Sequence, residues 1–285
     1  MHVSHLILAC RSIKKGEAAK SRILSETDCG PHTNIEVWEV DLDRFESVRG
    51  FCERVNIELI RVDGFIANAG LETETYEESE GLERTLTINL VSTFFMALSV
   101  LPKLQETATK FGLDTTLSIV GSLIHFMAPD NQLDNSHDIE MLVALSNPET
   151  ADMTSRYPLS KLAVHQVFNR LVELLPAPSA SNQVIVNLVN PGWCATELGR
   201  NKHKLLFERI CFQMIGRTSE QGSRTLVHSV TSGRETHGKY LSECMVAPQS
   251  DYCQSERGRL VGQRLFDEVL ERIRSIDAKV AQYVI

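Results

Sequence analysis

Short apolar runs alternate with longer amphipathic stretches along the 285 residues of this chain. The apolar runs are rich in Ile, Val and Leu with little polar alternation, which is typical of strands covered by helices on both faces. The predicted strands are 5–10, 34–40, 62–67, 116–121 and 184–189. The predicted helices are 14–24, 45–55, 78–105, 155–174, 219–230 and 259–276, with Ser12 and Ser219 as caps of the first and fifth. This alternation predicts βαβ units and an α/β fold with a mainly parallel sheet.

The chain shows neither an internal repeat nor a linker, so we expect a single domain over residues 1–285. Residues 122–156 form a polar connection with two prolines that is too long for an ordinary loop, and we predict an active-site loop there. Residues 196–216 mix basic and apolar side chains, and we expect this stretch to act as a substrate lid.

Composition narrows the choice of partners and location. A net charge of −8 without a basic cluster argues against binding to nucleic acid. The seven cysteines, an odd number without Cys-x-x-Cys spacing, predict reduced thiols and no metal site. We find no signal peptide and no apolar run of the ~18–20 residues that a membrane span needs. We therefore expect a cytoplasmic protein without a membrane span, with an address upstream of Met1 left open.

The stretch SRYPLSK places Tyr157 and Lys161 four residues apart, so both side chains lie on one face of a helix. A phenol with a pKa of ~10 is a poor acid or base at neutral pH, and a neighbouring ammonium lowers that pKa by favouring the phenolate. Tyr157 can then exchange a proton with a carbonyl or an alcohol oxygen. The same spacing also arises on solvated helix faces, so the pair alone is weak evidence.

Small residues end three of the predicted strands. They are Asn68, Ala69 and Gly70 after the third strand, Gly121 and Ser122 at the end of the fourth, and Pro191, Gly192 and Thr196 after the fifth. The carboxyl ends of parallel strands meet at one edge of a sheet, where open α/β folds bind ligands. With the tyrosine and lysine pair, these residues predict one site at that edge.

Taken together with the stretches RTSEQGSRTLVHSV and THGKYLS, these motifs resemble the short-chain dehydrogenase/reductase family, most closely its fungal retinol-dehydrogenase-like branch. The resemblance implies a Rossmann-like, doubly wound sheet and an oxidoreductase. By the same resemblance, Tyr157 is the catalytic acid or base, and Lys161 binds the nicotinamide ribose and lowers the tyrosine pKa. Ser122 is expected to hydrogen-bond the substrate carbonyl, and Asn89 to support a water relay to the lysine.

The resemblance also implies a nicotinamide cofactor and assigns residues to it. They are Asp41 and Leu42 beside the adenine, Asn68, Ala69 and Gly70 on the floor, and Pro191, Gly192 and Thr196 at the nicotinamide end. The residues themselves leave simpler interpretations open, since Asp41 can cap a turn, Asn89 can be a satisfied polar group of a helix and Thr196 can be an N-cap.

Arg11 bears on the choice of nicotinamide because it follows the first predicted strand. At that place an acidic residue favours NAD, whereas an arginine accommodates the 2′-phosphate of NADP. The stretch LACRS contains no acidic residue, so we expect NADP rather than NAD, with a solvated strand-end arginine as the alternative. The partner implied is a small-molecule substrate. Relatives that associate through the helices at 78–105 and 155–174 also imply a homodimer or homotetramer.

By the resemblance, the strand at 5–10 is the second of the fold, preceded by a strand, a Thr-Gly-x-x-x-Gly-x-Gly turn and a helix. The sequence contains no such turn, and we expect an N-terminally truncated fold with weakened cofactor affinity. Truncation would leave two strands with unpaired apolar edges, unless the sheet closes by pairing 5–10 with 62–67.

These observations support one leading hypothesis and two alternatives. The leading hypothesis is an NADP-dependent oxidoreductase that interconverts an alcohol and a ketone or aldehyde on a mainly apolar small molecule, in fungal secondary-metabolite biosynthesis. The first alternative is a pseudoenzyme or binding protein that lacks hydride transfer. The second is a non-redox dehydratase, isomerase or cyclase that uses Tyr157 without nicotinamide.

Overall fold

The computed structural model describes residues 3–27, 33–134, 139–175, 183–194 and 216–280. The strands are β1 (His5–Cys10), β2 (Asn34–Glu39), β3 (Gly64–Ala67), β4 (Glu78–Ser79), β5 (Leu82–Glu83), β6 (Thr115–Val120), β7 (Val184–Asn190), β8 (Tyr240–Ser242) and β9 (Met245–Ala247). The helices are α1 (Ile13–Glu26), α2 (Phe45–Glu58), α3 (Arg84–Phe111), α4 (Met141–Leu145), α5 (Arg156–Leu174), α6 (Ser219–Thr231), α7 (Asp251–Gln254) and α8 (Glu256–Ile276). Short 3₁₀ helices lie at Leu123–Met127, Asp130–Asp134 and Arg234–Thr236.

The larger sheet has the strand order β3-β6-β7-β8-β9. Its first four strands are parallel, and β9 returns antiparallel to β8. Every residue of β6 is buried, because helices α3 and α6 both pack against this strand. The predicted α/β class with a mainly parallel sheet is therefore confirmed. The sequence reading missed β8 and β9, because strands of three residues carry no apolar run long enough to recognise.

β1 and β2 form a separate two-stranded parallel sheet. Within the described part of the chain, no ladder joins β1 to β3, so the alternative in which the sheet closes is wrong and the expected unpaired edges are observed. No residue of β1 is buried, in contrast to β6. The two sheets are held together through helices, since α2 packs against α3 and the Ser92 hydroxyl donates to the Leu42 carbonyl at 2.6 Å.

Helix α3 is the central helix of the core. By length and composition alone, this helix is long and apolar enough to cross a membrane, a feature that the sequence analysis did not recognise. However, 94% of its most apolar window is buried inside the protein. That burial is typical of a core helix. Residues Thr87–Ser92 of this helix are π-helical, with the Thr93 hydroxyl donating to the Ile88 carbonyl at 3.0 Å.

Two local predictions were wrong, each for a physical reason. The predicted helix at 78–105 begins instead with the β4–β5 hairpin, because Glu80 and Gly81 have positive φ angles of 53° and 76°. Helix α3 starts after Glu83, whose carboxylate accepts hydrogen bonds from two backbone N–H groups of the first turn. The N-cap of α6 is Thr218 rather than Ser219, because Thr218 forms a capping box with Gln221. Ser12 caps α1 as predicted.

Helix α8 crosses α5 closely, and two glycines make the crossing possible. A Cβ atom on Gly262 would lie 3.0 Å from the Gln166 carbonyl oxygen, and one on Gly258 would lie 2.7 Å from the Gln166 amide nitrogen. Helix α8 thereby covers one face of α5. A dimer formed through α3 and α5 would have to use the remaining outer surfaces of these helices.

Candidate active site

Tyr157 and Lys161 lie in the first two turns of α5. Pro158 occupies the first turn, where its missing N–H costs no intrahelical hydrogen bond, so Tyr157 stays in the helix. Lys161 is buried, and its Nζ donates to the Val120 carbonyl at the end of β6 at 2.8 Å. The same Nζ lies 5.9 Å from the centroid of the Tyr157 ring. The predicted pair is therefore placed at the carboxyl edge of the larger sheet.

Burial controls the ionisation of both groups. Burial lowers the pKa of Lys161 to about 8, because it removes the solvating water that stabilises the charged ammonium. Burial raises the pKa of the Tyr157 phenol above its usual range, the Glu72 carboxylate raises it further, and a hydrogen bond with Ser122 opposes both. Lys161 is not among the causes that shift this pKa in the structure, so the expected lowering by the lysine is not observed. Tyr157 is therefore a neutral phenol, able to donate a proton, at physiological pH.

Ser122 follows β6 after Gly121 and is the N-cap of the 3₁₀ helix at Leu123–Met127. Its hydroxyl accepts a hydrogen bond from the Ile124 N–H at 3.2 Å, and its proximity to the Tyr157 phenol lowers the pKa of that phenol. The structure thus brings the predicted serine and tyrosine together. Two neighbouring hydroxyl groups can hold a single carbonyl oxygen between them.

Asn89 is buried in the π-helical segment of α3, and its amide is fully engaged. Its Oδ1 accepts from the Leu71 N–H at 2.7 Å, and its Nδ2 donates to the Leu71 carbonyl at 2.9 Å and the Ser160 hydroxyl at 3.0 Å. These bonds fasten the chain after β3 to α3 and α5. A water relay from Asn89 to Lys161 stays a prediction.

The nicotinamide end of the predicted cofactor site suits a ribose and a ring. Gly70 lies close to the predicted site residues, since a Cβ atom there would lie 3.1 Å from Asn89 Oδ1 and 3.9 Å from Lys161 Nζ. The described contacts use one of the three N–H donors of the Lys161 ammonium, which leaves donors suited to ribose hydroxyls. Pro191 and Gly192 follow β7, with Gly192 at a φ of 85°. Thr196 and the predicted lid, apart from residue 216, lie outside the described residues.

The adenosine end of the predicted site is formed by the smaller sheet. Arg11 is exposed after β1, and Asp41 follows Val40, whose N–H donates to the Cys10 carbonyl at 3.1 Å, so the two lie at neighbouring strand ends. The Asp41 carboxylate caps a turn by accepting from the Asp43 N–H at 3.1 Å. Leu42 is buried. Asn68 and Ala69 extend the chain between β3 and Gly70. Contact of these residues with an adenine stays a prediction.

Asn190, the last residue of β7, was missed by the sequence reading. Its Oδ1 accepts from the N–H groups of Leu123 and Gly192, both at 3.1 Å, and its Nδ2 donates to the Ser242 hydroxyl at 3.0 Å. One side chain thereby ties together three segments at the rim of the site. The sequence signal that could have identified Asn190 is its position at the end of a buried strand, immediately before a Pro-Gly pair.

His125, His165 and Cys253 form a buried group whose ligand atoms lie within 4.8 Å of one another. The two imidazole rings are stacked, with centroids 3.7 Å apart and an angle of 20° between their planes. Because the lone pairs of imidazole lie in the ring plane, stacked rings do not direct them at one ion. Burial also raises the pKa of the Cys253 thiol to about 11. This arrangement is unsuited to a metal ion.

Comparisons with known proteins agree with this geometry. The family model described as "short chain dehydrogenase" matches residues 4–112. Short chain dehydrogenase/reductase dmxR8 of Cryptosporiopsis sp. (strain 8999) is 37% identical over 275 residues, which cover 96% of this chain and 83% of that protein. Short-chain dehydrogenase anuD of Penicillium roqueforti is 32% identical over 279 residues, covering 95% and 71%.

Among solved structures, the fold is similar to that of a short-chain dehydrogenase from Sphingobium yanoikuyae in complex with NADPH. The TM-score is 0.51 at 21% sequence identity, covering 78% of this chain and 73% of that one. An uncharacterised protein from Mycobacterium paratuberculosis is similar with a TM-score of 0.63 at 19% identity, covering 92% and 82%. The Rossmann-like fold, the placement of the tyrosine and lysine at its sheet edge, and the extent of these matches lead to one conclusion. The chain belongs to the short-chain dehydrogenase/reductase family of oxidoreductases.

Proposed function

We propose that this protein is an NADP-dependent oxidoreductase that interconverts an alcohol and a ketone or aldehyde on a mainly apolar small molecule. The observation that carries the proposal is the convergence of Ser122, Tyr157 and Lys161 at the carboxyl edge of the larger sheet. The fungal sources of the two relatives support a role in secondary-metabolite biosynthesis. The five cysteines that the structure describes are all free thiols, which supports a cytoplasmic location.

The side chains of the site have distinct roles in this reaction. NADP(H), when bound, supplies hydride transfer to or from the substrate carbon. The Ser122 hydroxyl binds the carbonyl oxygen, and the Tyr157 phenol gives that oxygen a proton as its charge develops. The Lys161 ammonium binds the ribose hydroxyls and stabilises the tyrosinate that remains. Asn89 holds the chain at Leu71, next to Gly70 on the proposed cofactor floor.

The raised pKa of Tyr157 supports the reductive direction near neutral pH. A phenol that is fully protonated is ready to act as an acid toward a carbonyl, whereas oxidation of an alcohol requires its tyrosinate form. We therefore propose that carbonyl reduction predominates at neutral pH and that alcohol oxidation gains as the pH rises.

Two observations support the choice of cofactor and substrate class. Arg11 is exposed at the end of β1, where a guanidinium would meet the 2′-phosphate of NADP, and the Sphingobium yanoikuyae neighbour contains NADPH. Leu123, Phe126 and Met127, which directly follow Ser122, are 56%, 50% and 75% exposed. Exposed apolar side chains next to the reacting hydroxyl favour an apolar substrate.

The test is a titration of the purified chain with NADPH, followed by energy transfer from Trp193, and then NADPH oxidation with the apolar diketone benzil. We expect saturable binding and turnover, and a loss of about 10²–10⁴-fold in kcat for Tyr157→Phe at unchanged NADPH affinity. A Tyr76→Phe variant is the matched control, since the Tyr76 phenol donates to the Ser146 carbonyl at 2.7 Å rather than to a residue of the proposed site. Undiminished turnover by Tyr157→Phe would contradict the proposal.

A second candidate is a protein of this fold that works without hydride transfer, as a binding protein or a non-redox dehydratase, isomerase or cyclase. The specific observation in its favour is that, among the described residues, no ladder joins β1 to β3, so the predicted adenosine end belongs to a separate sheet. A folded chain that shows no saturable NADPH binding would favour this candidate over the oxidoreductase.

A further inference from the structure

Two buried histidines contact the backbone at Gly121 and Ser122 and have no role in the proton transfer described above. His125 and His165 are 2% and 0% exposed, and their rings are stacked at 3.7 Å. His125 comes from the 3₁₀ helix that Ser122 begins. His165 comes from α5, one helical turn after Lys161. The stack therefore joins the two segments that carry the proposed catalytic groups.

Both ring nitrogens of His125 hold the backbone. Nδ1 lies 2.6 Å from the Ser122 carbonyl oxygen, and Nε2 accepts a hydrogen bond from the Ser250 N–H at 3.1 Å. Since Nε2 has to be the acceptor for a backbone N–H, the proton of a neutral ring is on Nδ1 and is donated to Ser122. His125 thus fixes the peptide plane immediately after the catalytic serine.

His165 supports the residue on the other side of Ser122. A Cβ atom on Gly121 would lie 2.7 Å from His165 Nε2, so the ring occupies the space that any larger residue at position 121 would fill. The ring itself is held in place, because its Nδ1 lies 3.1 Å from Gln249 Oε1. Gln249 in turn exchanges two hydrogen bonds with Asn169, at 2.8 and 3.2 Å. The His165 ring therefore packs against the backbone before Ser122, and the His125 ring hydrogen-bonds the carbonyl of Ser122 itself.

We propose that His125 and His165 are positioning residues that orient Ser122 toward Tyr157. The proposal rests on the proposed oxidoreductase function, since it assigns these histidines to the same site. Their effect passes through the Ser122 carbonyl and the Gly121 backbone to the serine hydroxyl. A displacement of about 1 Å in a reacting group can cost roughly 100-fold in rate, so positioning of this kind is measurable.

The experiment compares His125→Leu with His125→Asn in the full chain. Leucine removes the donor to Ser122, whereas the Nδ2 of asparagine can replace the imidazole Nδ1–H. We expect kcat for benzil reduction to fall about 10–100-fold in His125→Leu and to recover to within about threefold in His125→Asn, with NADPH affinity and the KM for benzil unchanged within about twofold. His237→Leu is the control, because it removes a partly buried histidine that accepts from the Val186 N–H at 3.3 Å, away from Ser122.

Hydrogen exchange of the Ile124 amide, which the Ser122 hydroxyl protects, provides a readout that needs no turnover. We expect faster exchange in His125→Leu than in the wild type or His125→Asn. If the wild type fails to reduce benzil, the proposed function fails, while the exchange result still decides the positioning. Equal exchange at Ile124 in all three proteins, or kcat of His125→Leu within twofold of the wild type, would overturn the proposal.

Gly121→Ala provides a second route if His125→Leu does not fold. The added methyl group meets the His165 ring, so we expect kcat to fall about tenfold or more with NADPH affinity retained. In a His165→Ala background the ring is absent, and Gly121→Ala should have little further effect on kcat. Independent, multiplying effects of the two substitutions would contradict the positioning of Ser122 by His165.

Discussion

The ion pair between Glu83 and Arg156 lies entirely inside the protein, next to Tyr157, and its disruption gives a sharp prediction. The two side chains are 0% and 1% exposed, with Arg156 Nε 3.4 Å from Glu83 Oε2. Arg156 also donates to the Leu145 carbonyl at 2.6 Å, and Glu83 accepts from the Thr85 N–H at 2.8 Å. Among the described residues, Nε and Nη1 of Arg156 have no hydrogen-bond partner.

Substitution of Arg156 by methionine leaves the Glu83 carboxylate buried without its counter-charge. Breaking one side of a buried pair costs about 3–5 kcal/mol, and the backbone N–H groups that Glu83 retains place this case near the lower end. Adding Glu83→Gln to Arg156→Met removes the uncompensated buried charge, and the glutamine amide oxygen can still accept the hydrogen bond from the Thr85 N–H. We expect the double variant to recover about 2 kcal/mol, because replacing a whole buried pair is often close to neutral.

Urea denaturation followed by far-ultraviolet circular dichroism measures these free energies of unfolding, with Arg224→Met as the control. Arg224 pairs with Glu220 on the surface, where both side chains are more than two-thirds exposed, and such pairs contribute about 0–1 kcal/mol. A loss of stability in Arg156→Met no larger than that in Arg224→Met, or a double variant less stable than Arg156→Met, would contradict this prediction.

Three further predictions concern Lys161, Gly192 and the edge of β1. Because the pKa of Lys161 falls from its usual 10.5 to about 8, the unfolded chain binds more protons between these values, so this lysine makes stability rise with pH across that window. Lys161→Met should remove this rise in urea titrations, and an unchanged pH dependence would contradict the buried ammonium. Gly192→Ala should cost about 1–3 kcal/mol, since φ is 85° and the new Cβ lies 3.0 Å from Arg217, whereas Gly50→Ala, in open space on α2, should not destabilise. Ala9→Lys, on β1, which is paired with β2 along one edge only, should slow aggregation measured by light scattering, and equal slowing by Ala18→Lys on α1 would refute the edge explanation.

The polar residues of the site differ in how far sequence could reveal them. Tyr157 and Lys161 were predictable because a four-residue spacing on a helix places side chains on one face whatever surrounds the helix. Asn190 and His165 were not, because their importance comes from segments more than 50 residues away in the chain, at Leu123, Ser242 and Gln249. The hairpin before α3 was missed because a left-handed turn at Glu80 is disfavoured for a residue with a Cβ atom and is held by its surroundings.

The α/β class, most strand positions and the tyrosine and lysine pair were predictable from the amino-acid sequence, because they depend on local hydrophobic periodicity and spacing. The folded structure was needed to show that, within the described residues, β1 and β3 do not pair, since ladder formation depends on which strands packing brings together. It also decided the ionisation of the site. Burial raises the pKa of Tyr157 and lowers that of Lys161, and burial is a property of the folded chain rather than of any short segment.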